Sequence, residues 1–122
     1  MSFTKCHEDL EIWKKSIILV KEIYVITRNF PEEEKFVLIS QMRRAAISIP
    51  SNIAEGAARK SKKEFANFLS ISLGSLSELE TQLIISKELD YIHDIAQLRE
   101  QIKRIRLMTS SLYNKLHNEV TK

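Results

Sequence analysis

Glycine and proline are scarce in this chain, with only two of each among 122 residues. An all-β domain needs a turn about every 8–12 positions, and so few turn residues cannot supply them. Long helices with short connections need far fewer turn residues. The length suits a single core that buries roughly two-thirds of the unfolded surface. The sequence therefore predicts one all-α domain over residues 1–122.

Four segments repeat apolar residues every three or four positions, which predicts helices at about 8–29, 31–58, 61–90 and 93–117. Because the connections are short, neighbouring helices should run antiparallel as an up-and-down four-helix bundle. Pro50 removes one backbone hydrogen bond from the second segment, so we expect one kinked helix there. Two separate helices are the alternative.

Local signals mark two helix starts. Pro31 suits a first helical turn, and the three glutamates after it favour the positive end of a helix dipole. Ser61 and Glu64 form a Ser-x-x-Glu capping box. Within the third helix, Gly74 costs up to ~1 kcal/mol. Close approach of a neighbouring helix would offset that cost.

The first helix is apolar on two opposite faces. The face that we assign to the bundle core carries Leu10, Trp13, Ile17, Val20 and Tyr24. A helix that is apolar on both sides is usually buried on both, whereas a bundle core covers only one. We therefore predict that the other face contacts a second copy in a homo-oligomer. The predicted oligomer interface comprises Ile12, Leu19, Ile23 and Ile26, with Ile47 and Ala54 of the second helix.

Catalytic motifs are missing from the sequence. The serines lie in predicted helix interiors without an obvious histidine base, and no Gly-rich phosphate loop occurs. Some helical-bundle ribonucleases carry an Arg four to six residues before a His. None of His7, His93 and His117 has an Arg at that spacing. We expect no enzyme, no small-molecule substrate and no cofactor.

Two places carry potential metal ligands. A di-iron site in a bundle needs two Glu-x-x-His pairs on facing helices, whereas Asp90 and His93 form a single Asp-x-x-His pair at a helix junction. A helix-capping role is the favoured interpretation of that pair. Residues 6–9 include Cys6 and His7, but structural zinc needs four well-placed N or S ligands. We interpret this stretch as an exposed tail and predict no metal.

The single cysteine, Cys6, excludes a disulfide within the chain, which suits a reducing compartment. The N-terminus lacks an apolar signal stretch. The longest aliphatic run, residues 17–20, is far short of a membrane span of ~20 residues. We therefore expect a cytoplasmic protein with no membrane contact.

Basic clusters are the main functional signal. Nineteen Lys and Arg oppose sixteen Asp and Glu, and a net charge of +3 permits nucleic-acid binding without requiring it. Clustered cations can neutralise phosphates, and a symmetric oligomer would repeat each cluster. Few aromatic residues accompany them, which argues against a base-stacking single-strand binder. The candidate nucleic-acid-binding residues are Arg43, Arg44, Arg59, Lys60, Lys62, Lys63, Arg99, Lys103 and Arg106.

Polar residues also flank the apolar stripes of the two middle helices. They are Asn52, Glu55, Glu78 and Glu80. We interpret them as a hydrogen-bond network, or as intersubunit pairs with Arg43 or Arg44, that fixes the packing register. A ligand site is the alternative.

Several stretches resemble a known family. They are Asp9–Lys15 (DLEIWKK), Gln41–Gly56 (QMRRAAISIPSNIAEG), Glu64-Phe65 with Phe68-Leu69, and Gly74–Leu83 (GSLSELETQL). Over about residues 8–115 the chain resembles the bacterial four-helix bundle proteins encoded in intervening sequences of 23S ribosomal RNA genes, once called S23 ribosomal proteins.

This resemblance implies an antiparallel four-helix bundle that assembles into a pentameric ring. The family is similar to the accessory variability proteins of diversity-generating retroelements, basic pentamers that associate with a reverse transcriptase and its RNA. It implies no catalytic residue, and Arg43, Arg44, Asn52 and Glu55 look structural or partner-facing. Our hypothesis is a non-enzymatic oligomer that binds structured RNA or a ribonucleoprotein. The alternative is a protein–protein adaptor, such as a reverse-transcriptase accessory subunit.

Overall fold

The computed structural model describes residues 7–121. Its helices are α1 (Glu11–Thr27), α2 (Ser40–Ala57), α3 (Lys62–Glu88) and α4 (Ala96–Thr121), and no strand occurs within the described range. Each helix packs against the next, and α4 returns to contact α1. The predicted all-α, antiparallel four-helix bundle is confirmed.

Helices α1, α2 and α4 begin later than predicted, with α4 starting at Ala96. A 3₁₀ turn at His7–Asp9 precedes α1. A 3₁₀ turn at Glu32–Glu34 and a π-helical turn at Lys35–Ile39 lead into α2. Pro50 lies inside α2, which continues past it as one helix. The alternative of two helices is therefore wrong.

The buried face of α1 is the opposite of the predicted one. Ile12, Leu19 and Ile23 are at most 4% exposed in the single chain. Because they have almost no accessible surface, the prediction that they form an oligomer interface is wrong. Ile26 is partly buried against the same core, as are Leu10, Trp13 and Val20 of the opposite face.

Two small polar residues explain this reversal. Ser16 and Thr27 are buried in the same stripe, and their hydroxyls donate to the carbonyls of Ile12 (2.6 Å) and Ile23 (2.7 Å). A hydroxyl that bonds to a carbonyl four residues earlier has no unpaired polar atom, so it can enter a core. The bulkier face predicted as core is only partly buried; it carries Leu10, Trp13, Ile17, Val20 and Tyr24.

The pair α2–α3 is packed most closely around small residues. A Cβ added at Gly56 would lie 2.8 Å from both Phe65 Cδ1 and Phe68 Cβ. Farther along, Ser72 is fully buried and its hydroxyl donates to the carbonyl of Ile49 at 3.0 Å. Short side chains let these two helices approach, and each buried hydroxyl has an acceptor.

Gly74 behaves differently from the prediction. It lies on the exposed side of α3, and a Cβ added there would meet no atom within 4 Å. Within the described chain, therefore, no neighbouring helix offsets the conformational cost of this glycine.

A side-chain cap marks the start of α3, and a left-handed residue marks its end. The Ser61 hydroxyl accepts from the Glu64 N–H at 3.0 Å, as the capping box predicts. Asp90 has a φ of 63°, and the Tyr91 N–H donates to the Ser86 carbonyl at 2.9 Å. This left-handed residue closes α3 in the Schellman manner. The helix-capping interpretation of Asp90 is thus supported.

Among residues 7–121, no helix is both long and apolar enough to cross a membrane.

Candidate nucleic-acid interface

The turn between α2 and α3 carries four cations, of which two are paired. Arg59 donates to Glu55 Oε2 at 3.0 Å, and its guanidinium lies 4.9 Å from the centre of the Phe68 ring. Lys62 lies 2.7 Å from Glu119 Oε1 at the far end of α4. These contacts are only partly buried, so both cations keep solvent access beside the turn.

Lys60 and Lys63 complete the turn. Both are exposed, and neither forms an ion pair with any residue that the structure describes. The positive end of the α3 dipole lies at the same place and adds to the local positive potential. This end of the bundle therefore presents a compact cationic surface, which we call the α2–α3 basic turn (Arg59, Lys60, Lys62 and Lys63).

Two of the three predicted cations on α4 pair with one acidic residue of α3. Glu80 of α3 accepts from Arg106 Nη2 at 2.8 Å and from Arg99 Nε at 3.1 Å. The hydrogen bond from Arg106, with the bond from Arg99 and the charges of both, holds the pKa of the Glu80 carboxyl below its ordinary value of 4.5 although burial opposes the shift. Both arginines therefore clamp α4 to α3.

Lys103 is exposed and is the member of that cluster that does not pair with Glu80. Arg104, the next residue, is also exposed and was not among the predicted residues. Neither makes an ion pair within residues 7–121. The residues selected from the sequence on α4 share one helix face. Arg104 was left out because it lies on the side that faces α1.

Arg43 has a structural role at the end of α1. Its Nε donates to Thr27 Oγ1 at 3.0 Å, and its Nη2 donates to the carbonyl of Tyr24 at 3.4 Å. The guanidinium also stacks 4.3 Å from the Tyr24 ring centre. A cation near the last carbonyls of a helix is favourable for the helix dipole. Arg44, in contrast, is exposed on the outer side of α2.

The three predicted clusters do not merge into one surface. Arg44 lies 13 residues before the end of α2 at Ala57, a distance of about 20 Å along the helix. Lys103 lies on another helix, which contacts α3 and α1. The α2–α3 basic turn is therefore the most compact of the predicted cation groups.

The predicted structural polar residues form contacts within the chain. Asn52 Nδ2 donates to Ser48 Oγ at 2.9 Å, and Ser48 Oγ lies 2.8 Å from Ser75 Oγ across the α2–α3 seam. Ser75 continues the chain of bonds to the carbonyl of Ile71 at 3.2 Å.

The three predicted glutamates also have partners within the chain. Glu55 pairs with Arg59 and Glu80 with the two α4 arginines, while Gln82 Nε2 donates to Glu78 Oε2 at 3.4 Å. These contacts support the hydrogen-bond interpretation of Asn52, Glu55, Glu78 and Glu80.

Metal-ligating side chains do not converge in the described range. No three His, Cys, Asp or Glu residues of that range come close enough to hold a metal ion. His93 is exposed, and the ring of His117 stacks on Tyr113 with centres 5.6 Å apart. Cys6 lies outside the described residues.

Between α1 and α2 lies an open apolar depression of about 290 Å³, which we call the α1–α2 groove. It is lined by Trp13, Ile17, Val20, Ile47, Pro50, Ser51 and Ala54. Ile47 is 41% exposed. The predicted interface residues Ile47 and Ala54 thus lie beside the face of α1 that the sequence assigned to the core.

A family model for the 23S rRNA-intervening sequence protein matches residues 8–111. The chain belongs to this family. The matched range includes α1, α2, α3 and most of α4, and therefore every residue of the predicted cation clusters.

A solved structure supports the same assignment. The chain is similar to a protein of unknown function from the S23 ribosomal protein family of Bacteroides thetaiotaomicron VPI-5482, with 27% identity and a TM-score of 0.60. The similarity covers 91% of this chain and 99% of that one. Among curated proteins, none matches this chain.

Proposed function

We propose that this member of the family is a non-enzymatic oligomeric protein that binds structured RNA or a ribonucleoprotein. The observation that supports this most is the α2–α3 basic turn. Four cations occupy five consecutive positions there, and Lys60 and Lys63 have no acidic partner within residues 7–121. Each cation that neutralises a phosphate releases counterions, so binding should weaken with salt.

Oligomerisation would repeat this turn around a symmetric assembly. The α1–α2 groove is the surface that we propose for contact between copies, in place of the buried residues Ile12, Leu19 and Ile23. It combines the aromatic Trp13 with the exposed Ile47 and the partly buried Ile17 and Val20. Aromatic and other apolar residues are common at the centre of subunit interfaces. Several basic turns on one particle would bind a folded RNA with greater avidity than one.

RNA binding is tested with a folded 23S ribosomal RNA hairpin over a salt series. We expect micromolar or tighter affinity in low salt. The variant Lys60→Glu/Lys63→Glu should bind at least about tenfold more weakly, and the slope of log affinity against log salt should fall by about two because two phosphates lose their cations. Circular dichroism should show unchanged helix content.

A matched control separates a specific site from net charge. Lys21→Glu/Lys87→Glu changes the charge equally at two other exposed lysines. We expect it to retain most of the affinity. If both double variants weaken binding equally, the RNA responds to overall charge, and if neither does, the α2–α3 basic turn is not the site.

The oligomer is tested by light scattering. Ile47→Glu places a charge in the α1–α2 groove and should reduce the molar mass towards that of one chain, because an unpaired charge is costly at an interface. Ile71→Glu, at an isoleucine that is also about half exposed on α3, is the control. An unchanged mass in Ile47→Glu would place the intersubunit contact elsewhere.

A protein–protein adaptor, such as a reverse-transcriptase accessory subunit, is the second candidate. The observation that favours it is Phe36, which is 84% exposed on the π-helical turn beside the exposed Val37. A solvated aromatic next to an aliphatic residue is a common anchor for protein contacts. A stable oligomer without measurable RNA affinity in low salt would favour this second function.

A further inference from the structure

The surface between α1 and α4 is open. Two depressions there, of about 250 and 390 Å³, share Gln97 in their lining and so form one continuous groove. We call it the α1–α4 groove. Its walls are two stripes at helical spacing, Ile18, Glu22 and Val25 on α1 and Gln97, Gln101 and Arg104 on α4. The two ends of each stripe lie seven positions apart, or about 10 Å, which is two helical turns.

The groove offers apolar contact area on both its rim and its floor. Ile18 and Val25 are each 53% exposed on the α1 side. Beneath them lie Leu98 and Ile105, which are buried members of the core. Two large aliphatic side chains spaced by two turns are the usual contact points for the apolar face of a docked helix.

Charge is distributed unequally along the groove. The end near the start of α1 carries Lys15 and Arg104, with Glu100 of α4 also in the lining. The other end carries Glu22 and Asp94 and no lining cation. A molecule that fits this pattern would place a basic side chain at the acidic end.

Each half of the groove also contains one buried hydrogen-bond acceptor without a donor among residues 7–121. Glu22 Oε2 and Gln101 Oε1 are buried and have no donor among the described residues. Buried acceptors are almost always paired in folded proteins. Both side chains line the groove, where a bound molecule would bring donors close to them.

We propose that the α1–α4 groove binds an amphipathic helix of another protein. Apolar side chains of that helix, spaced over two turns, pack on Ile18 and Val25. A Lys or Arg of the same helix pairs with Glu22 and Asp94 at the acidic end. This site is separate from the α2–α3 basic turn, so it does not depend on RNA binding.

The probe is a displayed library of helical peptides about 15 residues long, the length at which isolated helices become stable. Selection against the full-length protein should enrich peptides with apolar residues at i, i+3 or i+4 and i+7 and a Lys or Arg near one end. The selected peptides are then synthesised, and their affinities are measured by fluorescence anisotropy. Failure to enrich such peptides would overturn the proposal.

Two pairs of variants locate the binding. Ile18→Glu/Val25→Glu should weaken peptide binding by roughly thirtyfold, as the loss of a central contact does. Ile71→Glu/Ile85→Glu makes the same charge change at exposed isoleucines of α3 and should leave affinity unchanged. Equal losses in both variants, or none in the first, would show that the peptides bind elsewhere.

Two further measurements test the charge pattern and the identity of the occupant. Glu22→Gln should weaken the selected peptides, and replacing their basic residue by norleucine should remove that difference. If the affinity is insensitive to Glu22→Gln, the acidic end plays no part. If Ile18→Glu/Val25→Glu instead lowers the molar mass of the protein, a second copy covers the groove and the proposal is wrong.

Discussion

The seams α2–α3 and α1–α4 belong to the same bundle but are built from different side chains. Across α2–α3, a Cβ at Gly56 would lie 2.8 Å from the next helix, and the Ser48 and Ser75 hydroxyls meet directly. Across α1–α4, a groove remains, and Gln101 keeps a buried oxygen without a donor. One seam is closed and the other is open.

The difference follows from side-chain length. Gly and Ser let helix backbones approach, and a Ser hydroxyl finds an acceptor on its own or the neighbouring backbone. Longer Glu, Gln and Arg side chains line the α1–α4 seam, where a groove remains between the two helices. The closed seam serves as the scaffold, and the open seam leaves surface for binding.

The largest expected effect tests how α1 is attached. Ile23→Ala should lower the free energy of unfolding by about 3 kcal/mol, because it removes buried methyl groups and leaves a cavity. Val25→Ala, on the groove side of the same helix, should change it by less than about 0.5 kcal/mol. Urea unfolding measures both. Comparable losses would mean that the groove side of α1 is also part of the core.

The next largest effect tests how closely α2 and α3 pack at Gly56. Gly56→Ala should destabilise the protein by about 2 kcal/mol, because the new methyl group would overlap the buried Phe65 ring and the Cβ of Phe68. Gly74→Ala is the matched control in an exposed part of α3 and should stabilise by up to ~1 kcal/mol. Thermal unfolding compares them. A stable Gly56→Ala variant would show that this seam can separate at little cost.

A smaller effect concerns the clamp between α3 and α4. Glu80→Gln should reduce stability at neutral pH by about 1 kcal/mol, since it removes a carboxylate that is bonded to two arginines. The pKa of Glu80 is lowered in the folded state, so its contribution is present above its ordinary value of 4.5 and is lost as the pH falls through the folded pKa.

The stability difference between wild type and Glu80→Gln should therefore shrink below about pH 4.5, as followed by urea unfolding at several pH values. Glu78→Gln serves as the control, because among residues 7–121 the Glu78 side chain accepts only the 3.4 Å bond from Gln82. If the stability difference between wild type and Glu80→Gln did not change with pH, the ion pairs of Glu80 would not be what holds α4 against α3.

The smallest effect compares the polar groups of the two seams. Gln101→Met should be neutral or stabilise by up to about 1 kcal/mol, because it removes an acceptor that has no donor in the described chain. Ser75→Ala should destabilise by about 1 kcal/mol, because it breaks the bond to Ser48. Chemical denaturation measures the free energy of unfolding of both variants, and the two changes should have opposite signs. A loss in Gln101→Met would mean that this amide is satisfied within the chain.

Predictions from the sequence succeeded where neighbours along the chain decide the outcome. The Ser61 cap depends on an N–H only three residues away, and the four helices depend on repeats within each segment. The assignment to the family also came from contiguous stretches such as Gln41–Gly56, and the family model then matched residues 8–111.

Predictions failed where residues far apart in the chain decide the outcome. Arg106 was interpreted as a phosphate ligand, but Glu80, 26 positions earlier, accepts its hydrogen bond. Arg43 likewise bonds to Thr27, 16 positions earlier. Neither pairing has a signal in local spacing. For Arg104, the selection of one helix face by periodicity excluded the residue that faces α1.

The sequence by itself determined that this protein is an antiparallel bundle of four helices, because helix periodicity, caps and connection lengths are properties of short stretches. The tertiary structure alone decided which face of α1 is buried. Trp13 and Tyr24 were assigned to the core, yet the buried face carries Ser16 and Thr27, whose hydroxyls donate to carbonyls four residues earlier. Burial depends on the shape and the polar contacts of the helices that close around a residue, and these come from the whole chain.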